Sequence, residues 1–172
     1  MEMRANIVLD AALISDWISR LILLDPGIID DGNPEFLKYL FFPLTRISAK
    51  LFRDSDFRMA SFKGSYYKPE QITQADVDAY MVASRTENFV NAMVSMLKNY
   101  TDPDELSSVG QVRQPVLLLW GEFDRGNPPE NGYILEKEFQ NAELHIIPGS
   151  GHYIHEEQPE MTSRLILDFL KN

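Results

Sequence analysis

The stretch Pro115-Val-Leu-Leu-Leu-Trp120-Gly121-Glu122-Phe123-Asp124 decides how this chain folds. Its apolar residues run from Val116 to Trp120 without a polar break and stop at Gly121 and a turn that bears carboxylates. A run this short, closed by a turn, reads as a strand buried on both faces, the kind that parallel sheets place at their centre. In an open α/β sheet the carboxyl end of such a strand faces the crevice where ligands bind, so Asp124 is expected there.

Two further runs have the same character. Arg20 to Leu24 ends in Asp25-Pro26-Gly27, and Leu144 to Ile147 ends in Pro148-Gly149. Helical patterns flank them. Ile7, Val8, Ala11, Ala12, Ile14 and Ile18 predict a sheet-packing helix over 3–16, and Met161, Leu165, Ile166, Phe169 and Leu170, after Pro159, predict a helix that covers the sheet. The expected fold class is therefore α/β, with three parallel strands and flanking helices.

Residues 28–110 have a different texture, rich in aromatics and Met and without strand alternation. They predict an all-helical insertion. Thr73 with Asp76 has the spacing of a capping box, and Thr86 precedes a helical stripe of Phe89, Ala92, Met93, Met96, Leu97 and Tyr100. The stripe is expected to pack a core first and to line a ligand pocket second. The domain layout predicted is a core of 1–27 and 111–172, with 28–110 inserted as a lid.

Twenty-eight positions after Asp124, the segment Ile147-Pro148-Gly149-Ser150-Gly151-His152 ends the next strand in a glycine-rich loop that carries a histidine. Adjacent parallel strands deliver both side chains to one rim. A buried carboxylate that accepts a hydrogen bond from one imidazole nitrogen fixes the tautomer and leaves the other nitrogen free as a general base. Asp124 and His152 are the candidate acid and base. Asp25, also at a strand end, is an alternative position for the acid, although the turn before Pro26 accounts for it equally well. Glu122 reads as a solvated turn residue, His145 as a strand residue on a sheet face, and His155 as structural.

Composition narrows the field. The 26 acidic side chains against 16 basic ones, a formal charge of −10, repel phosphates and anionic lipid, so no nucleic acid and no membrane partner are expected. The absence of cysteine excludes disulfides, thiolate metal sites and a Cys nucleophile. The start Met1-Glu2-Met3-Arg4 lacks the features of a signal peptide, and a cytoplasmic protein is expected. The cluster His152, His155, Glu156 and Glu157 lacks the two histidines one helical turn apart that bind zinc, and no phosphate-cradling loop or dinucleotide fingerprint occurs. No metal and no cofactor are expected.

These motifs together resemble the C-terminal part of the α/β-hydrolase superfamily, in its lid-bearing esterase and C–C-bond hydrolase branch. In that family a strand ending W-G-x-x-D supplies the triad acid, here Asp124, and G-H-x-x-H-x-E-x-P-E supplies the base, here His152 after Gly151, with His155, Glu157, Pro159 and Glu160. The resemblance implies a partial α/β-hydrolase fold and a small ester-like or related carbonyl substrate. It also implies a lid over the pocket, to which Phe41, Phe42, Phe57, Tyr66, Tyr67 and Met93 are candidate contributors.

The nucleophile is the departure. No Gly-x-Ser-x-Gly elbow occurs between Met1 and Asn172, nor the histidine-glycine loop that would form the oxyanion hole. Ser150 lies two residues from His152 on one loop, too close to face the imidazole as a triad serine does. Met1 to Val8 align with the residues just after the family serine, so the serine is expected one residue before Met1. The chain alone is expected to be weakly active or inactive. The rival reading is a catalytically silent fragment that serves as a binding or assembly module. Either way, the strand at Leu21 to Leu24 is expected to present a bare edge, and to pair in a homodimer or a complex.

Overall fold

The computed structural model describes residues 3–29, 44–51, 53–98 and 106–171. Its sheet has three strands, β1 Leu21–Leu24, β2 Val116–Gly121 and β3 Ala142–Ile147, in the spatial order β1-β2-β3. Both pairings are parallel, with Leu24 opposite Leu119 and Gly121 opposite Ile147. The three strands thus end within two residues of one another at one rim, and the expected α/β class with parallel strands is what forms.

The central strand explains the layering. All six of its residues are buried, and the two-residue period sends alternate side chains to opposite faces. Val116, Leu118 and Trp120 join Leu9, Ala12, Val109, Val112, Leu135 and Phe139 on one face. On the other, Leu117 and Leu119 pack with Ile147, Ile154 and Phe169. Helices α1 (Met3–Ile14), α6 (Leu106–Val109) and α7 (Glu130–Glu138) serve the first face, and α8 (Ile154–Glu157) and α9 (Pro159–Lys171) the second. Each fully buried Leu or Val contributes roughly 1.5–3 kcal/mol, so the face-to-face burial of β2 is the main anchor of the sheet.

Helix α1 departs from its predicted stripe. Among its described side chains Leu9 and Ala12 are buried, whereas Ile7 is 67% exposed and Ile14 86%, and Trp17 just beyond the helix is 95% exposed. The helix is apolar on nearly every side, and a pattern with no polar face cannot tell periodicity which side meets the sheet. In α9 the prediction fails at one position: Met161, Leu165, Ile166 and Phe169 pack on the sheet, but Leu170 is 50% exposed.

The chain divides into two compact units, Met1–Ile29 with Ser65–Tyr67 and Pro103–Asn172, and Asp30–Gly64 with Lys68–Asp102. The second is helical: α2 (Leu44–Leu51), most of α3 (Ser55–Ser65), α4 (Gln74–Tyr80) and α5 (Phe89–Lys98), with single 3-10 turns at Pro69–Gln71 and Ala83–Arg85. Asp54 starts α3 by accepting the backbone N–H groups of Asp56 and Phe57, both at 3.0 Å. Thr73 and Asp76 form the capping box at the start of α4. Phe62 packs against Tyr80 with ring centroids 4.4 Å apart, and Val77 and Met81 are buried. In α5, Phe89 and Met93 are half-buried while Ala92 is exposed; Tyr100 lies outside the described residues. Among the described residues, no helix is long and apolar enough to cross a membrane.

Candidate functional site

Two loops at the carboxyl rim of the sheet build the site. After β2, the chain turns through Glu122 and Phe123, and the Asp124 N–H donates back to the Gly121 carbonyl at 3.2 Å. Asp124 then closes an Asx-type turn: its Oδ1 accepts the backbone N–H groups of Gly126 and Asn127, each at 2.9 Å. That leaves Oδ2 pointing away from its own loop. It meets His152 Nδ1 at 2.7 Å, with the Asp124 side chain wholly buried and the His152 side chain 25% exposed.

The loop that carries His152 is fixed by backbone bonds to the Asp124 loop. Glu122 N–H donates to the Ile147 carbonyl at 3.1 Å, and Phe123 N–H donates to the Ser150 carbonyl at 2.9 Å. From the other side, His152 N–H donates to the Ser65 carbonyl at 2.8 Å, and Glu157 accepts from Gly151 N–H at 2.6 Å and Tyr67 N–H at 2.7 Å. The imidazole is therefore oriented by its own backbone as well as by Asp124. No described residue bonds its second ring nitrogen, Nε2.

Asp25 is the third member of the cluster. It takes φ +43°, a backbone conformation rare for a residue with a side chain. Its carbonyl accepts from Asn127 Nδ2 at 3.1 Å and its Oδ1 from Gly121 N–H at 2.8 Å. Burial pushes its carboxyl group up to about 8; the Gly121 bond opposes the rise and the Asp124 charge adds to it. The hydrogen bond to Asp124 raises the His152 imidazole above the usual histidine range, against the opposing effect of burial.

Among the described residues, Asp25, Asp124 and His152 are the group whose side-chain donors could converge on a metal, all within 4.8 Å of one another. Their spacing favours a proton. Ligands at about 2.0–2.2 Å around a tetrahedral ion stand roughly 3.4 Å apart, whereas Asp124 and His152 are in direct contact at 2.7 Å.

The other candidates separate clearly. Ser150 is buried and its hydroxyl donates to the Ile147 carbonyl at 2.9 Å, which ties it into its own loop. Glu122 is exposed and accepts from Gly149 N–H at 3.0 Å. His155 is exposed beside Glu156, and His145 is half-buried in β3. Tyr66 and Tyr67 lie against the His152 loop: Tyr66 stacks on Tyr153 at 4.7 Å and donates its hydroxyl to Glu156, and Tyr67 stacks on Phe123 at 4.3 Å. Phe57 and Met93 belong to the helical unit. Phe41 and Phe42 lie outside the described residues.

Three contributors had no distinct sequence signal. Ser65 acts through its carbonyl, Gly126 through its N–H, and Asn127 sits in what reads as an ordinary turn before Pro128-Pro129. The segment Ser65–Tyr67 falls inside the stretch read as lid, yet it belongs to the sheet unit. Its only cue is the tyrosine pair shortly before Pro69, where a helix is expected to have ended.

The chain matches the family described as alpha/beta hydrolase fold over residues 11–159. Over 172 residues it is 27% identical to an uncharacterized hydrolase, YugF, of Bacillus subtilis (strain 168), covering 99% of this chain and 63% of that protein. Over 102 residues it is 36% identical to a 2-hydroxy-6-oxononadienedioate/2-hydroxy-6-oxononatrienedioate hydrolase of Dechloromonas aromatica (strain RCB), covering 59% of this chain and 35% of the relative. Its fold is similar to that of a thermophilic esterase from Thermogutta terrifontis, with a TM-score of 0.74 at 22% identity, over 99% of this chain and 62% of the esterase. The chain thus spans less than two thirds of the length of these relatives. The parallel sheet, the strand-end loops and the match over residues 11–159 agree: the chain belongs to the α/β-hydrolase fold family.

Proposed function

We propose that this chain carries the acid and the base of a serine-hydrolase triad, and that the nucleophile comes from polypeptide outside residues 1–172. The observation that carries the reading is the 2.7 Å bond between Asp124 Oδ2 and His152 Nδ1. Asp124 is locked by two backbone donors and cannot swing away. It holds Nδ1–H toward itself, so Nε2 is the nitrogen that takes a proton from a hydroxyl nucleophile and returns it to the leaving group. The substrate is a carboxylic ester or a compound with a related reactive carbonyl. The aromatic residues Tyr67 and Phe123 beside the pair favour an apolar one.

The exposed apolar side of α1 supports the second half of the proposal. Ile7, Ile14 and Trp17 lie bare in water, β1 ends the described sheet, and the relatives are longer than this chain. A polypeptide with the strand, elbow and oxyanion donors of the family would cover both the helix and the strand edge. Within the stretch 28–110 read as an insertion, the helical unit Asp30–Gly64 with Lys68–Asp102 serves as the lid, and the cytoplasm as the compartment. The rival reading, a silent binding or assembly module, draws on Ser150 being tied to its own loop. In that case the same apolar surface pairs two copies of the chain.

Turnover of a chromogenic short-chain ester separates the readings. The chain alone is expected to be nearly inactive. Mixed with a polypeptide corresponding to the first third of the Bacillus relative, it is expected to gain activity that His152→Ala removes. Activity that His152→Ala leaves unchanged ends the triad reading, and light scattering that shows a soluble monomer unable to bind that polypeptide ends the assembly reading.

A further inference from the structure

Asp25 is unexplained by the acid–base pair. It is 5% exposed, its Oδ1 is satisfied by Gly121 N–H, and its Oδ2 is buried without a donor among the described residues. A buried carboxylate oxygen with no donor is costly, and a second carboxylate nearby makes it worse. Both costs vanish if Oδ2 carries a hydrogen, because Asp124 is adjacent and is an acceptor.

We propose that Asp25 is a positioning residue that keeps its proton, donates it as a hydrogen bond to Asp124, and so lets His152 work beside one buried negative charge instead of two. Three elements converge to make this possible. The end of β1 supplies Asp25, the loop after β2 supplies Asp124 with the Gly121 N–H, and the loop after β3 supplies His152. Among the described residues, the two ionisable groups that face Asp25 are Asp124 and His152, within 4.8 Å. The strained backbone of Asp25 is held by Asn127 and by its own N–H bond to Leu119 at 2.9 Å, so the carboxyl group cannot turn out to water.

The consequence is electrostatic. With Asp25 neutral, Asp124 negative and His152 positive, the cluster carries no net charge at the moment the imidazole holds a proton. A second ionised carboxylate would bind that proton more tightly and hinder its return to a leaving group. The titration of the three groups is shared, since they lie too close to act independently. Burial holding the Asp25 proton up to about 8 agrees with this arrangement.

The inference rests on Asp124 and His152 acting as an acid–base pair for its functional meaning, but its test requires no turnover, so an inactive chain leaves it open to measurement. The full chain is labelled with 13C at the aspartate carboxyl carbons and titrated by NMR. One carboxyl resonance is expected to stay protonated at pH 6 and to titrate in the neutral to weakly alkaline range. It should be missing from Asp25→Asn. In Asp124→Asn it should titrate at lower pH, because the neighbouring charge is gone; a purely structural role for Asp25 predicts no such move. Asp25→Asn, which keeps a neutral acceptor and donor, is expected to leave the His152 midpoint in place. A spectrum of the unaltered chain in which every aspartate titrates below pH 5 overturns the proposal, and so does an Asp25→Asn variant whose His152 midpoint falls by about one unit or more, the effect of losing a full nearby charge. The first result needs no variant to fold.

Discussion

A methyl group on Gly121 would lie 1.9 Å from the carbonyl oxygen of Gly151. These two glycines, one ending β2 and one preceding His152, let the backbones of the acid and base loops touch, and that contact sets the distance at which Asp124 meets His152. The obstacle is backbone, so a side chain cannot simply step aside. Gly121→Ala is expected to cost about 2 kcal/mol or more by urea denaturation and to disturb the His152 resonance. Gly64→Ala, in α3 where an added Cβ meets nothing within 4 Å, is expected to stabilise by about 0.5–1 kcal/mol. Equal effects of the two would mean that the loops are not in contact.

The bond from Asp124 is the main cause of the raised His152 titration. Asp124→Asn is therefore expected to lower the His152 midpoint, followed through the imidazole ring protons. In the complemented enzyme it should reduce turnover by about 10⁴-fold, the effect of losing the orienting carboxylate in triad enzymes. A His152 midpoint that does not move would refute the hydrogen bond itself.

Stability should fall as pH rises through neutrality. His152, raised by Asp124, contributes stability that is complete below about 6.5 and lost as pH passes its higher folded value. Asp25 acts in the same direction. The unfolded chain releases its proton near pH 4 while the folded chain holds it to about 8, so folding is progressively opposed between those values. The urea midpoint is expected to be higher at pH 5.5 than at pH 8.5, and a rise over that interval would contradict both assignments.

Glu157 joins Gly151 N–H to Tyr67 N–H and so ties the Ser65–Tyr67 segment to the His152 loop. Glu157→Ala leaves two partly buried amides without an acceptor, at a cost of about 1–3 kcal/mol. Hydrogen exchange should speed up at Gly151, His152 and Tyr67, and stay unchanged in α7. Uniform acceleration would indicate global loosening and discount the tie.

The exposed side of α1 is expected to be dispensable for the chain's own fold. Ile14→Glu with Trp17→Glu, at positions 86% and 95% exposed, should change stability by no more than about 0.5 kcal/mol per site and should abolish binding of a complementing polypeptide in a titration. Undiminished binding would move the interface elsewhere.

The strand ends carried most of what could be read in advance. β2 is an unbroken apolar run with a turn at each end, because a strand buried on two faces leaves no room for polar residues, and the loops after β2 and β3 announce themselves by glycine, by the carboxylates Glu122 and Asp124, and by His152. Helix α1 packs by a face that its periodicity does not mark. Its apolar residues surround the axis, so the choice of Leu9 and Ala12 as its buried face depends on where the sheet lies. Asp25 was legible only as an alternative acid. That it bonds Gly121 and stands beside Asp124, while His152 bonds Asp124, depends on three strands meeting in register.

Sequence by itself determined the class of the fold, its three parallel strands and the family, and it singled out Asp124 and His152 as the proposed acid and base. Local pattern is enough for these, because strand burial, turn chemistry and motif spacing are properties of short segments. Tertiary structure alone decided the 2.7 Å contact of Asp124 with His152, the capture of Ser65–Tyr67 by the sheet unit and the buried position of Asp25. Those depend on backbone groups and on burial, which arise only when segments distant in the chain are packed together and water is removed from between them.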